Sequence, residues 1–70
     1  MNNNIQTIRQ NLNMSRRQLA ELLGLTVQAI ANYEYGTRNP KIKICYRLID
    51  LAQRSGLDLK LEDIYMQDTA

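Results

Sequence analysis

The sequence predicts an all-α fold, a compact bundle of about five short helices, and three observations carry that prediction. Ser15 and Gln18 have the S-x-x-Q spacing of a capping box, in which each side chain satisfies a backbone N–H left open at a helix start. Gly24 stands where a left-handed residue would end that helix, and Thr26 is placed to cap a second one. Apolar residues recur at helical spacing on both sides of these signals, and strand-like alternation is confined to Leu57, Leu59 and Leu61. Two helices hinged at a glycine, over residues 14–36, meet the requirements of a helix-turn-helix.

The chain starts with polar residues, and Asn4 is placed to cap a helix running from residue 5 to about 12, with Ile5, Ile8 and Leu12 as its buried stripe. Arg9 adjoins that stripe. Its guanidinium therefore either reaches water or meets a buried carboxylate, for which Glu34 is the candidate. Asn13 suits the left-handed conformation that stops a helix, and Met14 leads as an apolar residue into Ser15. The second helix starts near Arg16 and carries Leu19, Leu22 and Leu23 at helical spacing, with the small Ala20 beside them. Leu25 bridges the turn. In the third helix Val27, Ile30 and Tyr33 form one stripe, leaving Gln28, Ala29, Ala31 and Asn32 on other faces.

Pro40 forbids Asn39 from continuing a helix, so 37–41 reads as an exposed basic loop. Helical spacing returns over 42–55 through Ile44, Cys45, Leu48, Ile49, Leu51 and Ala52, with Arg47, Asp50, Gln53 and Arg54 on the wet side. Gly56 closes that helix. Leu57, Leu59 and Leu61 then alternate with Asp58 and Lys60, the period of an extended segment, whereas Leu61, Ile64 and Tyr65 have helical spacing. A short extended C-terminal segment followed by a final turn or two of helix to about Met66 is expected. The whole forms one domain over 1–66, with a frayed tail at 67–70.

Seventy residues accommodate a single domain, whose stability should be a few to roughly ten kcal/mol. No apolar run approaches a membrane span, and the Asn-rich start lacks the charged-then-apolar pattern of a signal peptide, so a cytoplasmic protein without membrane contact is expected. Cys45 is the only cysteine and histidine is absent. That removes a zinc set, a Ser/His or Cys/His nucleophilic pair and an imidazole base. Glu62 and Asp63 are neighbours and point to different faces of a helix, so they make a poor acid–base pair. An enzyme is not expected, nor a metal or cofactor. The net charge of +2 hides an asymmetry: residues 1–47 hold seven Arg/Lys against two Glu, whereas 48–70 hold two against five Asp/Glu. The basic part contains the helix-turn-helix, which suits attraction to phosphate, although a solvated face is the plainer reading of charge alone.

Taken together, Leu19-Ala20, Gly24, Ile30, Glu34, Gly36 and Pro40 resemble the pattern of the phage Cro/repressor-type helix-turn-helix family, also called XRE-like, over roughly residues 5–55. The strongest part is 15–40: a capped Leu-Ala helix, a glycine turn, and a recognition helix ending in Tyr-Glu-x-Gly before a basic loop and proline. The resemblance implies a lambda-repressor-like bundle whose recognition helix, about residues 26–35, lies in the major groove of double-stranded DNA. Gln28 is then the best base reader, because its amide offers a donor and an acceptor together, and Asn32 reaches onward by the same chemistry. Val27 either offers methyl groups to a thymine or packs in the core. Ala29 and Ala31 would keep the helix surface low. Arg16, where the family often has a glutamine touching the backbone, joins Arg17, Thr26, Arg38, Asn39, Lys41 and Lys43 as candidate phosphate contacts. A solvated-face reading is equally open for Arg17 and Lys43. The resemblance also implies an Arg9–Glu34 salt bridge joining the first helix to the end of the recognition helix. Members commonly bind as twofold dimers through the C-terminal end, which here points to Leu57, Leu59, Leu61 and Tyr65; the alternative is a tail folded over its own core.

The leading expectation is a sequence-specific transcription regulator, a small Cro-like phage or prophage repressor that binds a palindromic operator as a homodimer, with no small-molecule ligand. An antitoxin of this fold, binding a toxin through its acidic C-terminal part while repressing its own promoter, is the alternative. A helical protein-interaction module without DNA binding is the third class, and the retained Gln28, Asn32 and loop cations speak against it.

Overall fold

The computed structural model describes residues 4–65, which form α1 (Ile5–Asn11), α2 (Arg16–Leu23), α3 (Val27–Tyr35), α4 (Ile42–Arg54) and α5 (Leu61–Ile64). The all-α prediction is met among the described residues, and the punctuation between α1 and α3 is where local chemistry placed it. Ser15 Oγ accepts from the Gln18 N–H (3.1 Å) while Gln18 Oε1 accepts from the Ser15 N–H (2.8 Å), closing the capping box. Gly24 sits at φ +71°, and behind it the Leu25 N–H reaches back to the Ala20 carbonyl (2.8 Å). Asn13 takes the left-handed φ of 58° that ends α1.

Ile5, Leu19, Ile30, Leu48 and Ile64 are fully buried, one from each helix. Each such side chain contributes roughly 1.5–3 kcal/mol relative to exposure. Three assignments differ from the sequence reading. On α2 the inward face is Leu19, Ala20 and Leu23, and Leu22 is 58% exposed, because it lies about 110° round the helix from the centre of that face. On α3 the inward residues are Ile30, Ala31 and Tyr33. Val27 is exposed: helical Cβ atoms tilt toward the N-terminus, so a first-turn side chain projects beyond the packed part of the helix. Asn4 does not cap α1 with its side chain; its Nδ2 donates to the Asp63 carbonyl (2.9 Å) and its N–H to the Ile64 carbonyl (2.8 Å), tying the start of α1 to α5.

The C-terminal segment is also used internally. Residues 57–60 run without helix into α5, which ends at Ile64, and Tyr65 is already extended. The expected extension to Met66 and the tail at 67–70 lie outside the described residues. Leu59, Leu61 and Tyr65, expected at a dimer contact, pack half-buried against the core of their own chain, and Leu57 lines a shallow cleft with Ile8, Ala52 and Leu59. The Tyr65 hydroxyl donates to the Pro40 carbonyl (2.8 Å) and accepts from the buried Cys45 thiol (3.2 Å). The segment 57–65 therefore packs on the core of its own chain, and Tyr65 pins the loop between α3 and α4.

One carboxylate joins three helices. Glu34, near the end of α3, has a side chain only 1% exposed. Its Oε2 accepts from Arg9 Nε of α1 (2.6 Å), and its Oε1 accepts from Arg9 Nη2 (3.3 Å) and Arg16 Nε of α2 (2.9 Å). Arg9 Nη1 also donates to the Met14 carbonyl (3.0 Å), fastening the α1–α2 connection to the same node. The expected Arg9–Glu34 pair is present, and Arg16 is a partner that the sequence did not reveal. Burial alone would raise the Glu34 pKa, but hydrogen bonds from Arg9 and Arg16 outweigh it and hold the carboxyl below its ordinary value.

Glu34→Ala strands two guanidiniums and should cost about 3–5 kcal/mol, read as a lower urea midpoint. Glu21→Ala, which breaks only an exposed pair with Arg17, should cost about 0–1 kcal/mol; coincident midpoints for the two variants would show that Glu34 is not a structural node. Because the folded pKa of Glu34 is depressed, its contribution is complete above the ordinary carboxylate range and is lost as pH falls through the folded value. Acid titration of Glu34→Gln should lack that part of the transition.

At the alkaline end, the hydrogen bond with Cys45 and burial push the Tyr65 pKa up to about 12. The sign is opposite: stability is fully present below the ordinary tyrosine pKa of about 10 and is lost as pH rises toward the folded value. Tyr65→Phe should cost about 0.5–1.5 kcal/mol at neutral pH. Its stability should fall less steeply than that of the wild type above about pH 10, and parallel alkaline curves would refute the Tyr65 assignment.

Candidate nucleic-acid interface

The outer surface of α3 is built from its N-cap forward. Thr26 Oγ1 accepts from the Ala29 N–H (3.0 Å), which starts the helix and leaves Val27 and Gln28 exposed in its first turn. Gln28 Nε2 donates to Asn32 Oδ1 (3.1 Å), one helical turn away. The sequence placed these two amides on one face, and the structure brings them into direct contact. Gln28 keeps its Oε1 and one Nε2 hydrogen, and Asn32 keeps its amide hydrogens, so the pair still presents donors and an acceptor outward. Ala29 is half-buried, and Ala31 belongs to the core rather than to this surface.

The basic loop starts from the same place. The Asn32 carbonyl accepts from the Thr37 N–H (3.0 Å), the Thr37 hydroxyl (3.1 Å) and the Arg38 N–H (3.3 Å), so the chain after Gly36 folds back onto the end of α3. At the other end Pro40 is buried under Tyr65. Arg38, Asn39, Lys41 and Lys43 are exposed between and just beyond these two anchors. Among the described residues Arg38, Lys41 and Lys43 form no ion pair.

The two arginines that open α2 differ. Arg17 pairs at 3.7 Å with Glu21, both highly exposed, an i,i+4 contact worth about 0.3–0.5 kcal/mol that a phosphate would readily replace. Arg16 gives its Nε to Glu34, lies over the Tyr35 ring with Cζ 5.2 Å from the centroid, and places Nη1 3.4 Å from the Tyr35 hydroxyl. These contacts with Tyr35 and Glu34 raise its pKa further above the ordinary arginine value. Neither contact was legible beforehand, since the spacing between residues 16 and 34 has no meaning until α2 and α3 are packed.

Arg47, placed on the wet side of α4, uses Nη1 to donate to the Leu23 carbonyl (3.1 Å) at the end of α2. It thereby braces the turn between the two motif helices, with Nη1 3.5 Å from where a Gly24 Cβ would stand. Among the described residues no group of three or more His, Cys, Asp or Glu side chains converges as a metal site. No described helix is long and apolar enough to cross a membrane. The surface offers hydrogen-bonding amides flanked by the ion-paired Arg16 and Arg17 and by the exposed Arg38, Lys41 and Lys43.

Comparison with known proteins agrees with that geometry. A comparison with curated proteins finds no match. The helix-turn-helix family matches over residues 5–59, spanning α1 to the segment before α5 and covering most of the chain. With its capped α2, glycine turn and exposed α3 inside that span, the chain belongs to the XRE-type helix-turn-helix family of DNA-binding transcription regulators.

Proposed function

We propose that the chain is a sequence-specific repressor of the small Cro-like, phage or prophage kind, acting in the cytoplasm as a homodimer on a palindromic operator and without catalytic activity. The observation that supports this best is the paired Gln28 and Asn32 amides on the exposed face of α3, beside a loop whose cations lack carboxylate partners among the described residues. With α3 in a major groove, Gln28 pairs with adenine N6 and N7, Asn32 reads the adjoining bases, and Val27 meets a thymine methyl. Thr26, Arg16, Arg17, Arg38, Asn39, Lys41 and Lys43 then meet phosphates, which set register and supply the salt dependence. In the dimer Leu57, Leu59, Leu61 and Tyr65 offer only the edges left exposed after packing on their own core.

Random-site selection followed by footprinting tests this reading directly; failure to enrich any sequence would remove it. On the selected operator Gln28→Ala should weaken binding by about 1–3 kcal/mol and leave binding to random DNA nearly unchanged. Equal weakening on both DNAs would exclude base reading by Gln28. Lys41→Ala should instead weaken both alike and reduce the salt slope by about one unit.

A homodimer on DNA places its recognition helices about 34 Å apart, one helical turn. The selected site should then be a rough palindrome, and sedimentation of the saturated complex should show two chains per site. One chain per site would overturn the dimer.

A further inference from the structure

We propose that Tyr35 is a positioning residue for a phosphate contact: its ring and hydroxyl hold the Arg16 guanidinium in one orientation, with the outer nitrogen presented to the DNA backbone. The inference rests on the DNA-binding reading above and assigns a role to a side chain that reading leaves idle.

Glu34 supplies one negative charge to two guanidiniums, so the node retains one positive charge. Arg9 is the inner partner, with a side chain 15% exposed and further held by the Met14 carbonyl; Arg16 is the outer one, 33% exposed. The unneutralised charge therefore faces solvent through Arg16. Its Nε is spent on Glu34 and its Nη1 lies at the Tyr35 hydroxyl, while Nη2 makes no hydrogen bond among the described residues. An arginine at the first position of a helix would otherwise sample many rotamers, and in those that swing the guanidinium away from the DNA backbone the phosphate is not neutralised and no counterion is released there.

Tyr35 removes that freedom. It ends α3 and is 66% exposed, so its ring does little to fill the core, and its placement against Arg16 is what gives it a fixed partner. A ring centroid 5.2 Å from Cζ is within cation–π range, and the ring, Glu34 and the hydroxyl together bound the guanidinium on three sides. What remains open is the Nη2 side, a planar donor edge suited to a phosphate oxygen. The same bridge ties the first residue of α2 to the last residue of α3, so the contact is set relative to the recognition helix itself.

The test is the slope of log affinity against log salt for the full chain on a labelled random-sequence duplex. Arg16→Gln should make the slope shallower by about 0.9, the value of one phosphate contact. Tyr35→Ala should do the same, Tyr35→Phe, which keeps the ring and loses the hydroxyl, should fall between Tyr35→Ala and the wild type, and Tyr35→Ala should add nothing in an Arg16→Gln background. A purely structural role for Tyr35 would scale affinity without moving the slope. A wild-type slope in Tyr35→Ala or Arg16→Gln, or a further loss in the double variant, overturns the proposal alone. Wild-type protein with no salt-dependent DNA binding overturns both the proposal and the reading beneath it.

Discussion

A single buried carboxylate sets the geometry on which the rest of this small domain depends. Burying a charge costs several kcal/mol, and the cost is offset only when geometry is good and the remaining lone pairs are satisfied. Glu34 meets that condition with three hydrogen bonds from two arginines on two different helices. The consequence is angular. Apolar contacts among Ile5, Leu19 and Ile30 would tolerate a small slide of α3 against α1 and α2, whereas a carboxylate gripped from both sides would lose a bond for any such slide. The recognition helix is thus held by a directional interaction at its C-terminal end and by the Thr26 cap at its start.

The second half of the chain closes the structure from the other side. Tyr65 pins Pro40, Asn4 pins Asp63 and Ile64, and Arg47 reaches across to the end of α2. Each of these is a polar contact between segments far apart in sequence, and each satisfies a backbone carbonyl that would otherwise stand open near a helix end or loop. A core of few large side chains needs such ties, because a chain of this length buries a smaller fraction of its surface than a larger domain does. The loop carrying Arg38 and Lys41 is consequently anchored at both ends while its cations stay in water.

What could be read from the amino acids follows the range of the interaction. The capping box at Ser15 and Gln18, the left-handed Gly24 and Asn13, and the Thr26 cap are settled within a few residues, so the sequence displays them. Helix existence was equally legible; helix facing was less so. Leu22 looked buried and Val27 was left open between core and surface, because spacing reports a stripe without saying which of two overlapping stripes meets the core; both are exposed. For Leu59, Leu61 and Tyr65 the sequence left a partner surface and packing on their own core both open, since nothing local says whether residues 57–65 turn back on the helices before them. The candidate interface divides in the same way: helical phase put Gln28 and Asn32 on one face and the family resemblance marked them as base readers, whereas the Arg16–Glu34–Tyr35 cluster exists only after two helices have packed.

The proposed contact with bases depends on how the two amides of this surface are held. The Gln28–Asn32 hydrogen bond holds two flexible amides in one arrangement before any base arrives, and ordering a rotamer-rich side chain on binding costs about 0.5–1.5 kcal/mol. Part of that cost is therefore already met within the free protein. The bond is also between exposed groups, so water competes for it and its net worth is about 0.5–1.5 kcal/mol, small enough that Asn32 can release Gln28 if a base edge offers a better partner. If the two amides meet bases as proposed, such a pair would favour the bases that fit its standing arrangement and discriminate against those that require it to break. Specificity would then come from Asn32 twice, through the bases it touches and through the amide orientation it imposes on Gln28.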